Sequence, residues 1–223
     1  MAKTATGVIQ VRRALRRLSG ALLTTAALLV LVRESIAQVP PAGAPAGQRG
    51  RGGGGRGRAI QVMTLTSSGF ADGGAIPIKF AQPGVEVSPP LAWSGVPDSN
   101  VVSFALVVHD LDAAGSNGDD LLHWLVWNIP AAARSLPEGV PQGPQLPDGA
   151  RQISVSGPYY RGPAAPGNGP THHYVFELYA LDATIDVPPV GAAPAATRAA
   201  VMAAMAGHVR GKAVLVGTFK RKS

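Results

Sequence analysis

Three short apolar runs decide the fold of this chain: FALVVHDLD at residues 104–112, LLHWLVWNI at 121–129 and THHYVFELYALD at 171–182. Each has the length of a β-strand and carries an acid or a histidine at one end. Buried strands rarely keep Asp and His without partners, because a desolvated charge destabilises the fold unless it is neutralised or paired. If the three strands are neighbours, Asp110, His123 and His172 converge on one polar pocket in an otherwise apolar sheet.

The rest of residues 59–223 repeats the same pattern on a smaller scale. Further short apolar runs, QVMTLTS, LAWSGV and KAVLVGTFK, are bounded by Pro and Gly. This pattern predicts one mainly β domain, a sandwich or a barrel. One helix is expected near the end of the chain, with Thr197 as its N-cap and Gly207 near its last turn.

The first 37 residues have the pattern of an export signal. Arginines precede an apolar run at 18–32, and Ser35-Ile36-Ala37 offers small residues for a signal peptidase. We predict a signal peptide over 1–37 and a periplasmic or secreted protein. The alternative is an uncleaved membrane anchor with the domain facing the periplasm. The pair Arg12-Arg13 also fits a twin-arginine signal, so the export route stays open.

Charge is distributed unevenly along the chain. Residues 38–58 are rich in Pro, Gly and Arg and predict a flexible linker. Residues 1–58 hold ten Lys or Arg and one acid, whereas residues 59–223 hold ten Lys or Arg and twelve acids. The net charge of residues 59–223 is therefore near −2. A domain with this charge is not a basic nucleic-acid binder. The absence of Cys excludes disulfides and Cys-ligated metals.

Strand alternation sorts the candidate histidines by face. In the second run His123 is expected to share a face with Leu125 and Trp127. In the third run His173 is expected on the face opposite to a group of four residues, His172, Tyr174, Phe176 and Leu178. Only one of the two histidines can therefore face a given pocket. Alternation alone leaves that choice open.

Five blocks together resemble the phosphatidylethanolamine-binding protein family, and most closely its bacterial branch of Raf-kinase-inhibitor-like proteins. They are GGAIPIKFAQPGVEVSPPLAWSGVP at 73–97, SFALVVHDLDA at 103–113, LLHWLVWNIPA at 121–131, GPAAPGNGPTHHYVFELYALD at 162–182 and MAGHVRGKAVLVGTFKR at 205–221. The blocks occur in the family's order and span about residues 68–222.

The resemblance implies a β sandwich with a few peripheral helices and a small pocket for phosphate-like anions. It assigns the ligand-binding residues Asp110, Asp112, His123 and His172 and a lip of Gly162, Pro163 and Pro166. Asp112 has an alternative interpretation as a strand-end residue whose carboxylate accepts backbone N–H groups. The family also suggests a homodimer and a regulated partner protein.

These residues predict a binding protein for a small anion or a phospholipid head group, without a cofactor and without catalysis. The alternative is a metal-dependent enzyme, since two His and one carboxylate are also the ligand set of mononuclear non-haem iron. No HExxH pair supports a metal, and no GxSxG elbow supports hydrolysis.

Overall fold

Two β-sheets and one α-helix make up the part of the chain that the computed structural model describes, residues 59–114 and 118–222. The predicted signal peptide (1–37) and linker (38–58) lie outside the described residues. The elements, in chain order, are β1 (Gln61–Val62), β2 (Thr64–Thr66), a 3₁₀ helix (Ile78–Phe80), β3 (Leu91–Ser94), β4 (Ser103–Ala114), β5 (Asp120–Pro130), β6 (Ser135–Leu136), β7 (Arg151–Ile153), β8 (His172–Leu181), α1 (Pro194–Met205) and β9 (Val209–Phe219).

The larger sheet has the strand order β1-β9-β8-β4-β5-β7, and the smaller has the order β2-β3-β6. All pairs of named strands are antiparallel except β1 with β9. The main apolar core fills the space between the sheets, where Trp93 of β3 contacts Phe104 of β4 edge to face at 5.4 Å. The predicted β sandwich is therefore confirmed, and the three runs that carry the candidate residues are the adjacent strands β8, β4 and β5.

A second apolar cluster lies on the other face of the large sheet, where Val201 and Met205 of α1 pack with Leu125 and Trp127 of β5. The helix begins at Pro194, with Ala193 as its N-cap, so the prediction of Thr197 as N-cap was wrong. Proline at the first helical position has its φ already set for a helix and needs no N–H partner there. In residues 59–114 and 118–222, no helix is long and apolar enough to span a membrane.

A β-bulge in β5 changes the direction of His123. Val108 of β4 pairs with Trp124, but the next residue, His109, pairs with Leu122, so His123 is an extra residue in the ladder. A bulge of this kind breaks the period-two alternation of side chains. His123 therefore faces the inter-sheet side with Trp124, and the prediction that it shares a face with Leu125 was wrong.

Alternation along β8 was predicted correctly. Tyr174, Phe176 and Leu178 lie in the inter-sheet core, while Tyr179 belongs to the cluster under α1. Since β8 carries no bulge before Ala180, its first residue, His172, lies on the inter-sheet side as well.

Candidate functional site

One end of strands β4, β5 and β8, together with the loop that precedes β8, encloses a cavity of about 240 Å³, called here the polar cavity. Its lining consists of Gln82, Asp110, Ala113, Leu121, His123, Arg161, Ala164, Ala165, Pro166, His172 and Tyr174. Four of the residues assigned from sequence, Asp110, His123, His172 and Pro166, come together here.

A buried carboxylate and an imidazole form the centre of the polar cavity. Asp110 is only 2% exposed. Its Oδ2 lies 2.8 Å from Nδ1 of His172, and its Oδ1 accepts the backbone N–H of Asp112 at 2.9 Å. Because an ionised carboxylate only accepts hydrogen bonds, Nδ1 of His172 must carry a proton. The Nε2 atom of His172 is thus left for a bound molecule.

The choice between the two adjacent histidines is settled by this geometry. His172 lines the polar cavity, whereas His173 has an exposed side chain that contacts Asp112 instead. Oδ2 of Asp112 accepts both the backbone N–H of His173 at 2.6 Å and its Nδ1–H at 2.8 Å. These hydrogen bonds lower the pKa of Asp112. Asp112 does not line the cavity, and its contacts match the strand-end alternative.

His123 is held in one orientation and one protonation state. It is 1% exposed, and its Nδ1 donates a 2.8 Å hydrogen bond to the backbone carbonyl of Arg161. Its ring meets Tyr174 edge to face at 5.0 Å. Burial lowers the pKa of His123, and the hydrogen bond to Arg161 and the charge of Asp110 offset only part of that effect. His123 is therefore neutral near pH 7, so it supplies no positive charge to a bound anion there.

The fixed positive charge of the polar cavity comes from Arg161, which we did not predict. Its guanidinium donates to Oε1 of Gln82 at 3.0 Å, and Nε2 of Gln82 donates to the carbonyl of Gly162 at 2.7 Å. The guanidinium lies close enough to His123 to help lower that residue's pKa. The only sequence signal for Arg161 was its position directly before the predicted lip.

Tyr174 also lines the polar cavity and was predicted only to share a face with His172. Its hydroxyl accepts the backbone N–H of Ala164 at 3.3 Å. Burial, together with the negative charge of Asp110, raises the pKa of Tyr174 well above its ordinary value. Tyr174 therefore stays neutral at any physiological pH.

Gly162 and Pro163 form the wall behind the polar cavity and do not line it. A Cβ on Gly162 would lie 2.5 Å from the carbonyl oxygen of Phe80, so only glycine allows the two chain segments to approach this closely. The carbonyl of Pro163 accepts the backbone N–H of Gln82 at 3.0 Å. Of the predicted lip, only Pro166 reaches the lining.

The metal-site alternative requires two His and one carboxylate arranged around one point. In the described part of the chain, no group of three or more His, Asp or Glu side chains is placed to hold a metal ion.

Comparison with known proteins extends these observations. Residues 66–220 match the family described as phosphatidylethanolamine-binding protein. The chain belongs to the phosphatidylethanolamine-binding protein family. The predicted family is therefore confirmed, and the match covers nearly all of the domain described above.

Relatives of the chain include archaeal and bacterial proteins. A UPF0098 protein of Methanothermobacter thermautotrophicus is 40% identical over 161 residues, which cover 71% of this chain and 99% of that protein. LppC of Mycobacterium tuberculosis, whose name classes it as a lipoprotein, is 37% identical over 73% of this chain and 74% of its own length.

Two solved structures of family members have the same fold. CT736 of Chlamydia trachomatis is 31% identical with a TM-score of 0.60, over 73% of this chain and 99% of that one. YbcL of E. coli is 26% identical with a TM-score of 0.61, over 72% of this chain and 99% of that one.

Proposed function

We propose that this protein is a non-enzymatic binding protein whose polar cavity takes a small anion, such as phosphate or a phosphorylated head group. The observation that carries the proposal is that Arg161 and the Asp110–His172 pair line the same small cavity. The lining described above contains no Ser, Thr, Cys or Lys that an imidazole could activate as a nucleophile.

Charge supports an anionic ligand over a cationic one once His172 is protonated. Arg161 and a protonated His172 then supply two positive charges against the single negative charge of Asp110. Hydrogen bonds from cationic donors to phosphate oxygens are short and strong, and planar guanidinium groups suit them well.

The size of the polar cavity favours a small group over a whole lipid. Its volume is about 240 Å³. Pockets for drug-sized ligands usually measure roughly 300–1,000 Å³. A phosphate group with a short substituent fits this volume, whereas acyl chains would have to stay outside.

Calorimetric titration with methyl phosphate at about pH 6 tests the proposal. Loss of one charge-assisted contact typically costs about 1.5–3 kcal/mol, so Arg161→Ala should weaken binding roughly ten- to a hundredfold. Arg134→Ala is the matched control, since Arg134 is exposed and donates only to nearby backbone carbonyls. Absence of binding to the wild-type protein, or equal affinity in Arg161→Ala, would contradict the proposal.

We also propose that the protein works outside the cytoplasm. The Arg-rich start and the small residues at 35–37 support export. The name of the relative LppC, which classes that protein as a lipoprotein, supports the same location. A ligand of this domain would then be an envelope or extracellular anion.

A further inference from the structure

We propose that the polar cavity prefers anions that carry a hydrogen-bond donor of their own. His123 is the residue that accepts the hydrogen bond from this donor. The simplest such ligand is a singly protonated phosphoryl group with one P–OH. This inference rests on the proposed function and specifies the chemical class of its ligand.

The tautomer of His123 is the first argument. Its Nδ1 must carry the proton, because it faces the carbonyl oxygen of Arg161 at 2.8 Å and a carbonyl can only accept. In a neutral imidazole the other nitrogen is then an acceptor. The Nε2 atom of His123 is buried and has no hydrogen-bond partner among the residues that the structure describes. A buried acceptor without a partner destabilises its surroundings, and a donor on the ligand would supply what is missing.

None of the polar groups around His123 donates a hydrogen bond to its Nε2 in the described part of the chain. Both oxygens of Asp110 on β4 already accept hydrogen bonds, and the hydroxyl of Tyr174 on β8, which accepts the N–H of Ala164, interacts with Asp110 and not with Nε2 of His123. The guanidinium of Arg161 is directed at Gln82. The protein therefore offers Nε2 of His123 to whatever enters the cavity.

Charge around His123 argues for a singly charged ligand. The fixed charges that face it are the negative Asp110 on β4 and the positive Arg161 in the loop, and they cancel. On β8, His172 adds one positive charge when it is protonated, and Tyr174 stays neutral. A further carboxylate, Glu86, accepts the backbone N–H of Gly162 behind the wall at 3.2 Å. Such a site balances at most one negative charge, so the second charge of a dianion would be buried without a partner, whereas a monoanion keeps its proton.

The test compares two ions that differ by one group. Methylphosphonate at about pH 6.5 is mainly a monoanion with a P–OH, and dimethylphosphinate is a monoanion of nearly the same shape with a methyl group in its place. Asp110 and Arg161 act equally on both, so the comparison isolates the donor. We expect methylphosphonate to bind about ten- to a hundredfold more tightly to the full-length protein.

The outcomes separate this inference from the proposed function. Equal affinity for the two ions would overturn the donor inference and leave anion binding standing. Absence of binding for both would overturn the proposed function itself. In His123→Phe the preference should disappear while weak binding of both ions persists, and an unchanged preference would also overturn the inference.

A measurement on the wild-type protein keeps the inference testable if His123→Phe does not fold. The ³¹P signal of bound methylphosphonate should show a second pKa higher than that of the free ion. A site made only of cationic donors would lower that pKa, because it favours the dianion. A lowered or unchanged value would therefore contradict the inference.

Discussion

Oδ2 of Asp110 accepts a 2.8 Å hydrogen bond from Nδ1 of His172 across the pair of strands β4 and β8. The register places Asp110 directly opposite Tyr174, so His172 is its diagonal neighbour on the same face of the sheet. The contact thus follows from strand pairing and requires no loop. The contact fixes Nδ1 as the nitrogen that carries the proton in a neutral His172.

Asp110→Asn should reverse the tautomer of His172. The backbone N–H of Asp112 holds the remaining side-chain oxygen, so the new amide NH₂ would face His172. An NH₂ group only donates, and Nδ1 of His172 would have to become the acceptor. ¹⁵N NMR of the imidazole should show Nδ1–H in the wild-type protein and Nε2–H in the variant. Asp112→Asn is the matched control, because Asp112 contacts His173, and retention of Nδ1–H in Asp110→Asn would contradict the prediction.

Metal content distinguishes the anion site from the iron-site alternative. We expect protein purified without a chelator to contain well under one equivalent of Fe, Zn, Mn or Cu. The reason is that both oxygens of Asp110 already accept hydrogen bonds, and no group of three or more His, Asp or Glu side chains in the described residues is placed to hold a metal ion. Elemental analysis would measure this. Stoichiometric metal that is lost in both His123→Ala and His172→Ala would instead support a site with two His and one carboxylate.

Much of the polar cavity could be predicted because its floor lies on regular strands. A strand pattern fixes which residues share a face, and on β8 this correctly grouped His172 with Tyr174 and Phe176. Burial of Asp110 required a partner, and the neighbouring strand supplied one. Residues of this kind can be placed from apolar pattern and elementary electrostatics alone.

Two other parts of the site could not be predicted, each for its own physical reason. The predicted face of His123 was wrong because one inserted residue inverts the alternation of side chains. A bulge cannot be recognised from the sequence of an apolar run. Arg161 and Gln82 were missed because they lie in irregular segments. They come together only because the fold brings distant parts of the sequence into contact. Gln82 and Gly162, for example, are hydrogen-bonded although they lie 80 residues apart in the chain. No local periodicity reports such contacts.

Gly162→Ala should loosen the wall of the polar cavity. The added Cβ would lie 2.5 Å from the Phe80 carbonyl oxygen and 2.9 Å from Cα of Ala81, so the backbone has to move. Overpacking of this kind typically destabilises a fold by about 1–3 kcal/mol. Gly169→Ala in the same loop is the control, because its Cβ would meet nothing closer than 3.6 Å. Urea unfolding of both variants would check this, and equal stabilities would contradict it.

Export is tested by the sequence of the mature protein. Cleavage after Ala37, as Ser35-Ile36-Ala37 suggests, should give an N-terminus at Gln38. N-terminal sequencing of protein recovered from the envelope fraction would identify it. Recovery of an intact N-terminus from Met1 in the soluble cytoplasmic fraction would contradict the prediction.

A chain of charged side chains on the face opposite the polar cavity connects α1 to the sheet. His109 contacts Asp120 through Nδ1, and its Nε2 lies 3.6 Å from Glu177, an ion pair beyond hydrogen-bond distance. Arg198 of α1 contacts Asp120, and Lys212 lies 2.6 Å from Glu177. Burial alone would lower the pKa of His109, but Glu177 and Asp120 outweigh it and the pKa is raised. The same contacts hold the pKa of Glu177 down to about 2.

The stability contributed by His109 should therefore depend on pH with a definite sign. Because its pKa is higher in the folded state than the unfolded value of about 6.5, the contribution is complete below that pH and fades as pH rises through the folded pKa. The acids have lowered pKa values, so their contribution appears only above about pH 4. Urea unfolding should show His109→Gln to be less stable than wild type by about 1.5–3 kcal/mol near pH 5.5, and by less near pH 9. His173→Gln, in an exposed pair, should change little at either pH. A deficit for His109→Gln that stays constant from pH 5.5 to 9 would mean that His109 contributes by packing and that its charge adds nothing.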